Sequence, residues 1–379
     1  YEETVEKTSF LIQDAIKRQM VSDVPICTFL SGGVDSSVVS AVCAAELKKQ
    51  GKKLTTFSFD FIDNDKYFKA NSFQPSQDRP YVDKMVSFLD SDHHYLECDN
   101  KMQADLLYRS VDAHDLPCMA DIDSSLQYFC EEVSHSHKVV LTGECADEVF
   151  GGYPWFHREE MLNSGTFPWT PSLTPRKVLL KDDLVKSLHM DEYVKKIYDR
   201  SVSEINVLPS ENEIETNRRR IGYLNIRFFM QTLLNRMDRT SMFSGLEARV
   251  PFADRKLVDY VFNIPWEMKA KDGLVKNILR QASKGLLPDE ILFRRKSPYP
   301  KTYNPYYENL LAKRLKEVLA DSASPLHSLL DLQQVTQFLE NPKDYGAPWY
   351  GQLMAGPQMI AYLLQIEYFL RKYNVSIRI

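Results

Sequence analysis

The sequence contains no apolar run near the roughly 18 residues that a membrane-spanning helix requires, and no signal peptide at its start. It lacks an excess of either charge. The 47 Lys and Arg stand against 52 Asp and Glu, a net charge of −5, which disfavours a broad nucleic-acid surface. Cysteine is sparse, with residues at 27, 43, 98, 118, 130 and 145, and no pair has C-x-x-C spacing. Several lie inside apolar runs, so they read as reduced structural thiols of a cytoplasmic protein rather than a disulfide framework. No internal repeat is present. Two common phosphate signatures are also missing, since no G-K-[ST] follows the glycines at 32–33 and no G-x-G-x-x-G occurs.

What is present suits a large soluble protein. The 379 residues are 44% apolar and 26% charged, near the size at which one core divides, so two lobes are expected. The first residue is Tyr1 and an amphipathic helix pattern begins almost at once, over 4–20, so an upstream segment is expected. "VPICTFL" at 24–30, "LTTFSFDF" at 54–61, "HHYLEC" at 93–98 and "KVVLTG" at 138–143 read as strands, separated by helical patterns at 36–49, 81–89 and 124–133. Strands alternating with helices predict an open parallel sheet, which binds ligands beyond the carboxyl ends of its strands. The region 61–80 has no period and reads as a loop or lid. Prolines in "SGTFPWTPSLTPR" at 164–176 mark a lobe boundary, after which helical patterns prevail. The expected division is an α/β lobe at 1–163 and a mainly helical lobe at 164–379.

Two loops carry chemistry. In "FLSGGVDSS", backbone N–H groups of a glycine turn can converge on an anion, helped by the following helix and the hydroxyls of Ser31, Ser36 and Ser37. Asp35 would repel a phosphate unless a divalent cation lay between them, which suggests Mg²⁺ with a polyphosphate; a helix cap is the competing reading. In "LTGECADEVFGGY" at 141–153, Glu144, Asp147 and Glu148 follow a strand, and Asp147 could complete the metal site begun by Asp35. These acids would equally suit a helix N-terminus. His93 and His94 point to opposite faces of a strand, with no cysteine–histidine spacing beside them, so they read as structural.

"LSGGVDSS" resembles the pyrophosphate loop of the ATP pyrophosphatase superfamily. "LTGECADEVFGGY", "LLNRMDRTSMFSGLEARVPFADRKLVDY" at 233–260 and "GLVKNILR" at 273–280 resemble the synthetase domain of the glutamine-hydrolysing asparagine synthetase family. The resemblance covers nearly the whole chain. It implies an α/β, adenine nucleotide α-hydrolase-like lobe followed by a mostly helical one. It also implies a cytoplasmic ATP- and Mg²⁺-dependent carbon–nitrogen ligase that converts L-aspartate and ammonia to asparagine through β-aspartyl-AMP, giving AMP and pyrophosphate. Ammonia would come from an N-terminal glutaminase domain that this chain does not include. No nucleic acid or membrane partner is implied, and a homodimer is left open.

Carried over position by position, the resemblance puts Leu30, Ser31, Gly32, Gly33, Asp35, Ser36, Thr142 and Gly143 around ATP, with Phe59 at the adenine. It makes Asp35 and Asp147 magnesium ligands, Glu144 the base, and Lys276 the group that stabilises phosphate charge. Arg239 and Arg249 either reach phosphate or clamp Glu247, and "RRKSPYP" at 294–300 reads as a solvated basic turn. The chain reads "DLPCMADID" at 115–123 where many members carry a "TTIRA"-like stretch; it resembles instead a bacterial branch with "DLPxMADxDSS", and leaves the aspartate contacts unassigned. A related amide- or β-lactam-forming synthetase, whose counterpart of Glu144 resembles a tyrosine, and a non-catalytic nucleotide-binding module are the alternatives.

Overall fold

The computed structural model describes residues 1–70, 75–342 and 356–378. Residues 71–74 of the expected loop at 61–80 lie outside that set. Five parallel strands form one sheet: β1 (Ile26–Phe29), β2 (Thr55–Phe61), β3 (Asp92–Cys98), β4 (Val139–Leu141) and β5 (Glu247–Arg249), in the order β3-β2-β1-β4-β5. All residues of β1 and β4 are buried, as expected of parallel strands covered on both faces. The four expected strands are all there. The fifth completes the expected sheet of about five strands and comes from the long motif at 233–260, where a three-residue strand of sequence Glu-Ala-Arg carries no strand pattern of its own.

The chain forms two compact units, and neither is one continuous segment. The first comprises Tyr1–Cys98, Tyr128–Phe156 and Asn225–Tyr303; the second comprises Asp99–Gln127, His157–Leu224 and Asn304–Ile379. This differs from a single cut at 163/164, because β5 and the segment carrying Lys276 return to the sheet-bearing unit. That unit packs its sheet and helices around Leu30, Val38, Val39, Leu141, Phe150, Ile278 and Leu279. The second unit is helical, with Leu107, Leu311, Leu315, Ile360 and Leu364 in its core. Among the described residues, no helix is long and apolar enough to cross a membrane, and no cysteines are bridged.

Strand order fixes where a ligand would sit. The chain leaves β1 for β2 on one side, while β4 lies on the other, so the β1/β4 gap is where the winding reverses. Crevices for ligands form there in doubly wound sheets. The loops after β1 and β4 are the two glycine-bearing loops of the sequence. Their approach is close: a Cβ on Gly143 would lie 2.6 Å from the Ser36 backbone nitrogen and 2.8 Å from the Asp35 carbonyl carbon. Gly32 has φ +68°, and a Cβ there would come within 2.6 Å of Tyr81 Cβ. Because backbone cannot yield as a side-chain tip can, Gly143→Ala should lower stability by about 1–3 kcal/mol, the usual cost of overpacking. Urea unfolding checks this. An unchanged midpoint would mean that the two loops do not need this contact.

Candidate active site

The loop after β1 is held from below. Leu30 donates its backbone N–H to Phe57 at 2.8 Å, and its carbonyl accepts from Ser58 Oγ at 2.9 Å. Gly33 begins the helix Val34–Lys49. Ser36 Oγ accepts from the Ser31 backbone N–H at 3.1 Å and lies 3.0 Å from Ser31 Oγ. Ser31, Gly32, Gly33 and Ser36 therefore form one turn, and Asp35 projects from the first turn of the helix. In the β4 loop, Thr142 is buried and its hydroxyl accepts from the Glu144 N–H at 3.2 Å. Cys145 adopts φ +72°, which lets the chain turn into the short helix Ala146–Phe150 bearing Asp147.

A buried ammonium joins the two loops. Lys276, 2% exposed, places Nζ 2.8 and 2.6 Å from the two Asp35 oxygens. The same Nζ lies 2.9 Å from Asp147 Oδ1. Lys276 sits at φ +56°, the left-handed region, immediately before the helix Asn277–Ala282. A second ammonium, Lys296, meets Asp147 Oδ2 at 2.7 Å and lies 3.9 Å over the Tyr153 ring. Burial raises the Asp147 carboxyl, but Lys276 and Lys296 overcome it and hold Asp147 below the usual carboxylate range. Asp35 goes the other way: burial, with Asp147 repelling, outweighs the attraction of Lys276. Burial lowers the Lys276 ammonium, but the two carboxylates outweigh it and raise it. Asp147 also has a reserved space, since a Cβ on Gly152 would fall 1.8 Å from its Oδ1.

Glu144 stands in the same β4 loop, with Oε1 accepting from Arg236 Nη2 at 2.7 Å. Arg236 lies 5.7 Å from the Tyr299 ring, which stacks at 6.2 Å on Phe59. Thus every sequence-derived candidate lies in the sheet-bearing unit. Asp35, Asp147 and Lys276 touch directly, whereas Glu144 pairs with Arg236, and Phe59 sits among Phe61, Phe129 and Tyr299. Of the uncertain arginines, Arg249 clamps Glu247 at 2.7 Å and also binds the carbonyls of Gln19 and Val21. Cys27 is fully buried in β1 with its thiol pushed up by burial, which suits a structural residue. His93 is fixed between Thr56 and Ser58 at 2.8 and 2.9 Å, a structural role as expected.

Four basic partners escaped sequence reasoning. Lys296 belongs to "RRKSPYP", read as a solvated turn. Arg236 belongs to the long family-like string, but nothing local marks its pairing. Arg294 donates to the Ser31 carbonyl at 2.9 Å and to Asp78 at 2.5 Å, and stacks 4.0 Å over Tyr81. Arg280 donates to the carbonyls of Val275 at 2.8 Å and Arg294 at 3.1 Å, and also to that of Leu292. It therefore ties the backbone next to Lys276 to the segment leading into Lys296.

Comparison with known proteins places this arrangement. The profile of the Asparagine synthase family matches residues 8–371. The chain is 48% identical over 379 residues to Asparagine synthetase (glutamine-hydrolyzing) 3 of Bacillus subtilis (strain 168), covering 100% of this chain and 61% of that protein. Asparagine synthetase (glutamine-hydrolyzing) 1 of the same organism is 27% identical over 371 residues, covering 89% and 55%. Asparagine synthetase (glutamine-hydrolyzing) of Rattus norvegicus is 26% identical over 305 residues, covering 78% and 43%. The chain thus spans less than two thirds of the length of these curated relatives.

Next to Asp147, the Glu148 carboxyl is buried and accepts from the Tyr153 hydroxyl. Burial, with repulsion from Asp147, pushes it from its ordinary 4.5 up to about 7. The fold therefore binds this proton more tightly than the unfolded chain. Its contribution to stability is full below about pH 4.5 and is lost as pH rises through about 7. Glu148→Gln, which keeps an acceptor for Tyr153, should remove roughly 1–3 kcal/mol of the stability lost between those limits. Unfolding curves across that range check it; an identical pH dependence in the variant would contradict the buried neutral carboxyl.

Proposed function

The chain belongs to the asparagine synthase family, and from that premise we propose that it amidates L-aspartate at the expense of ATP, through β-aspartyl-AMP. The observation that carries this is the meeting of Asp35, Asp147, Lys276 and Lys296 at the sheet's winding reversal, with Glu144 in the same β4 loop as Asp147. Two carboxylates turned toward one buried ammonium form a hard oxygen set that fits a magnesium ion. Gly152 keeps the Asp147 carboxylate in place by leaving room that a side chain would fill. Asp35 and Asp147 would hold the ion, which supplies positive charge against a polyphosphate.

The roles of the chain's own residues follow. Backbone N–H groups of Gly32 and Gly33, with the hydroxyls of Ser31 and Ser36, receive the pyrophosphate portion of ATP. Phe59 lines the adenine side. The β-carboxylate oxygen of aspartate bonds to the α-phosphorus as the bond to the β-phosphate oxygen breaks. Negative charge then builds on the leaving pyrophosphate, where Lys276 and Lys296 neutralise it; preorganised charge of this kind is worth roughly 10²–10³ in rate. Lys296 is 29% exposed and its partner Asp147 has a second ammonium, so it can leave for phosphate without stranding that carboxylate.

In the second half, the nitrogen of ammonia bonds to the acyl carbon and the bond to AMP breaks. Glu144 accepts the proton that the nitrogen sheds. Arg236 engages Oε1 and so orients the carboxylate with Oε2 as the acceptor. Glutamine hydrolysis, which the relatives' names state for those proteins, would supply the ammonia in a longer protein, and residues 1–379 would use free ammonia.

The test is a single reaction of residues 1–379 with ATP, magnesium, aspartate and ammonium chloride, in which pyrophosphate and asparagine are both measured. Aspartate-dependent pyrophosphate with matching asparagine is expected. Pyrophosphate that does not depend on aspartate would overturn the substrate assignment. In Glu144→Gln, pyrophosphate should persist while asparagine falls steeply, because the base acts after the adenylate forms. Parallel loss of both products would remove Glu144 from that role.

A further inference from the structure

Arg294 lies just past the helix Asp289–Leu292, and its side chain is 3% exposed. Nη1 donates to the Ser31 carbonyl at 2.9 Å, and Nη2 donates to Asp78 Oδ1 at 2.5 Å. The guanidinium carbon stands 4.0 Å from the centre of the Tyr81 ring. Resting on the reading of the site as an ATP site, we propose that Arg294 is a positioning residue for the first half of the reaction. By holding the Ser31 carbonyl it aims the Gly32 N–H at the pyrophosphate portion of ATP, without touching the nucleotide itself.

The Ser31 carbonyl and the Gly32 N–H belong to one peptide unit. That unit is planar and trans, so the two groups point in opposite directions. Fixing the carbonyl therefore fixes the direction of the N–H. Gly32 sits at φ +68°, and glycine, having no Cβ, is the residue whose flanking peptides turn over most easily. A turned peptide would present a carbonyl oxygen to the anion in place of a donor. Tyr81 closes the other side: a Cβ on Gly32 would lie 2.6 Å from Tyr81 Cβ and 2.8 Å from the Tyr81 carbonyl carbon. The ring under the guanidinium and the backbone against Gly32 thus belong to one residue, so helix Arg79–Leu89, the glycine turn and Arg294 locate one another.

Both terminal nitrogens of Arg294 are committed within the protein, which separates its role from that of Lys276 and Lys296. Its charge is balanced by Asp78. Asp78 immediately precedes helix Arg79–Leu89, where an aspartate ordinarily caps the helix with its side chain. It makes no such capping bond, and its carboxylate turns to Arg294 instead. The backbone of Arg294 is held as well, since Arg280 Nη2 donates to its carbonyl at 3.1 Å. A planar fork that reaches a carbonyl and a carboxylate while stacked on a ring is a task for arginine and not for the point charge of lysine. The lysines supply charge to the site, and Arg294 supplies direction.

Calorimetric titration of the full chain with two probes, magnesium pyrophosphate and AMP, tests this, because AMP carries no β- or γ-phosphate. Arg294→Lys keeps a positive charge beside Asp78 but gives up the fork. It should weaken pyrophosphate binding roughly 10–100-fold, the loss expected for one hydrogen bond to a charged group, and leave AMP binding unchanged. Unchanged pyrophosphate binding would overturn the proposal. So would an equal loss for both probes, which is what a merely loosened fold would give. If Arg294→Lys does not fold, the pair Asp78→Asn with Arg294→Met leaves no buried charge unpaired and is read in the same way. An unaltered chain that binds AMP but not pyrophosphate would overturn the proposal alone. One that binds neither would overturn the ATP reading and the proposal with it.

Discussion

The site depends on one buried ammonium. Lys276 Nζ lies between a carboxylate from the β1 loop and another from the β4 loop, and without it two buried acids would face each other. Taking such charges out of water costs several kcal/mol per ion, and only a close, well-bonded partner offsets it. The cluster is therefore a poor device for stability and a good one for holding two carboxylates at a fixed separation. Its second ammonium, Lys296, adds charge on the Asp147 side and lies in the more exposed position.

The surroundings make sense as support for that ammonium. Lys276 adopts a left-handed backbone conformation that costs a non-glycine residue energy, and such strain persists where the environment over-determines it. Arg280, itself buried, binds the carbonyl just before Lys276 and those of Leu292 and Arg294 on the approach to Lys296. Arg294 continues from that segment to the carbonyl of Ser31 in the glycine loop after β1. The two lysines and the glycine turn are therefore fixed by guanidinium-to-carbonyl bonds. Those bonds hold the backbone and leave the carboxylates of Asp35 and Asp147 to the ammoniums.

Local physics made part of this legible. The first four strands stood out because their apolar runs end in glycine or turn residues. The two loops stood out because they hold glycine and acidic residues at the carboxyl ends of strands. β5 was hidden by its charged residues, and it pairs with a strand far earlier in the chain. Lys276 looks like a surface lysine at a helix start. Only the family resemblance singled it out, because its burial comes from contacts with residues 35 and 147. Lys296, Arg236, Arg280 and Arg294 share that difficulty: each is a basic residue whose partner is distant in sequence. Three separate segments build the first unit, and that interleaving is likewise invisible in local patterns.

The central claim is that the charge of Lys276 couples the two loops. A double-mutant cycle on stability, pairing Asp35→Asn with Lys276→Gln, tests it most directly, because it isolates the interaction from the effect of each change alone. Lys276→Gln leaves the Asp35 carboxylate without its ammonium and should lose about 3–5 kcal/mol, whereas Asp35→Asn leaves Lys276 on Asp147 and should lose less. The double variant, with neither charge left, should lose well under the sum. If the two losses simply add, the ammonium and the Asp35 carboxylate do not interact in the folded protein, and the account of the site is wrong.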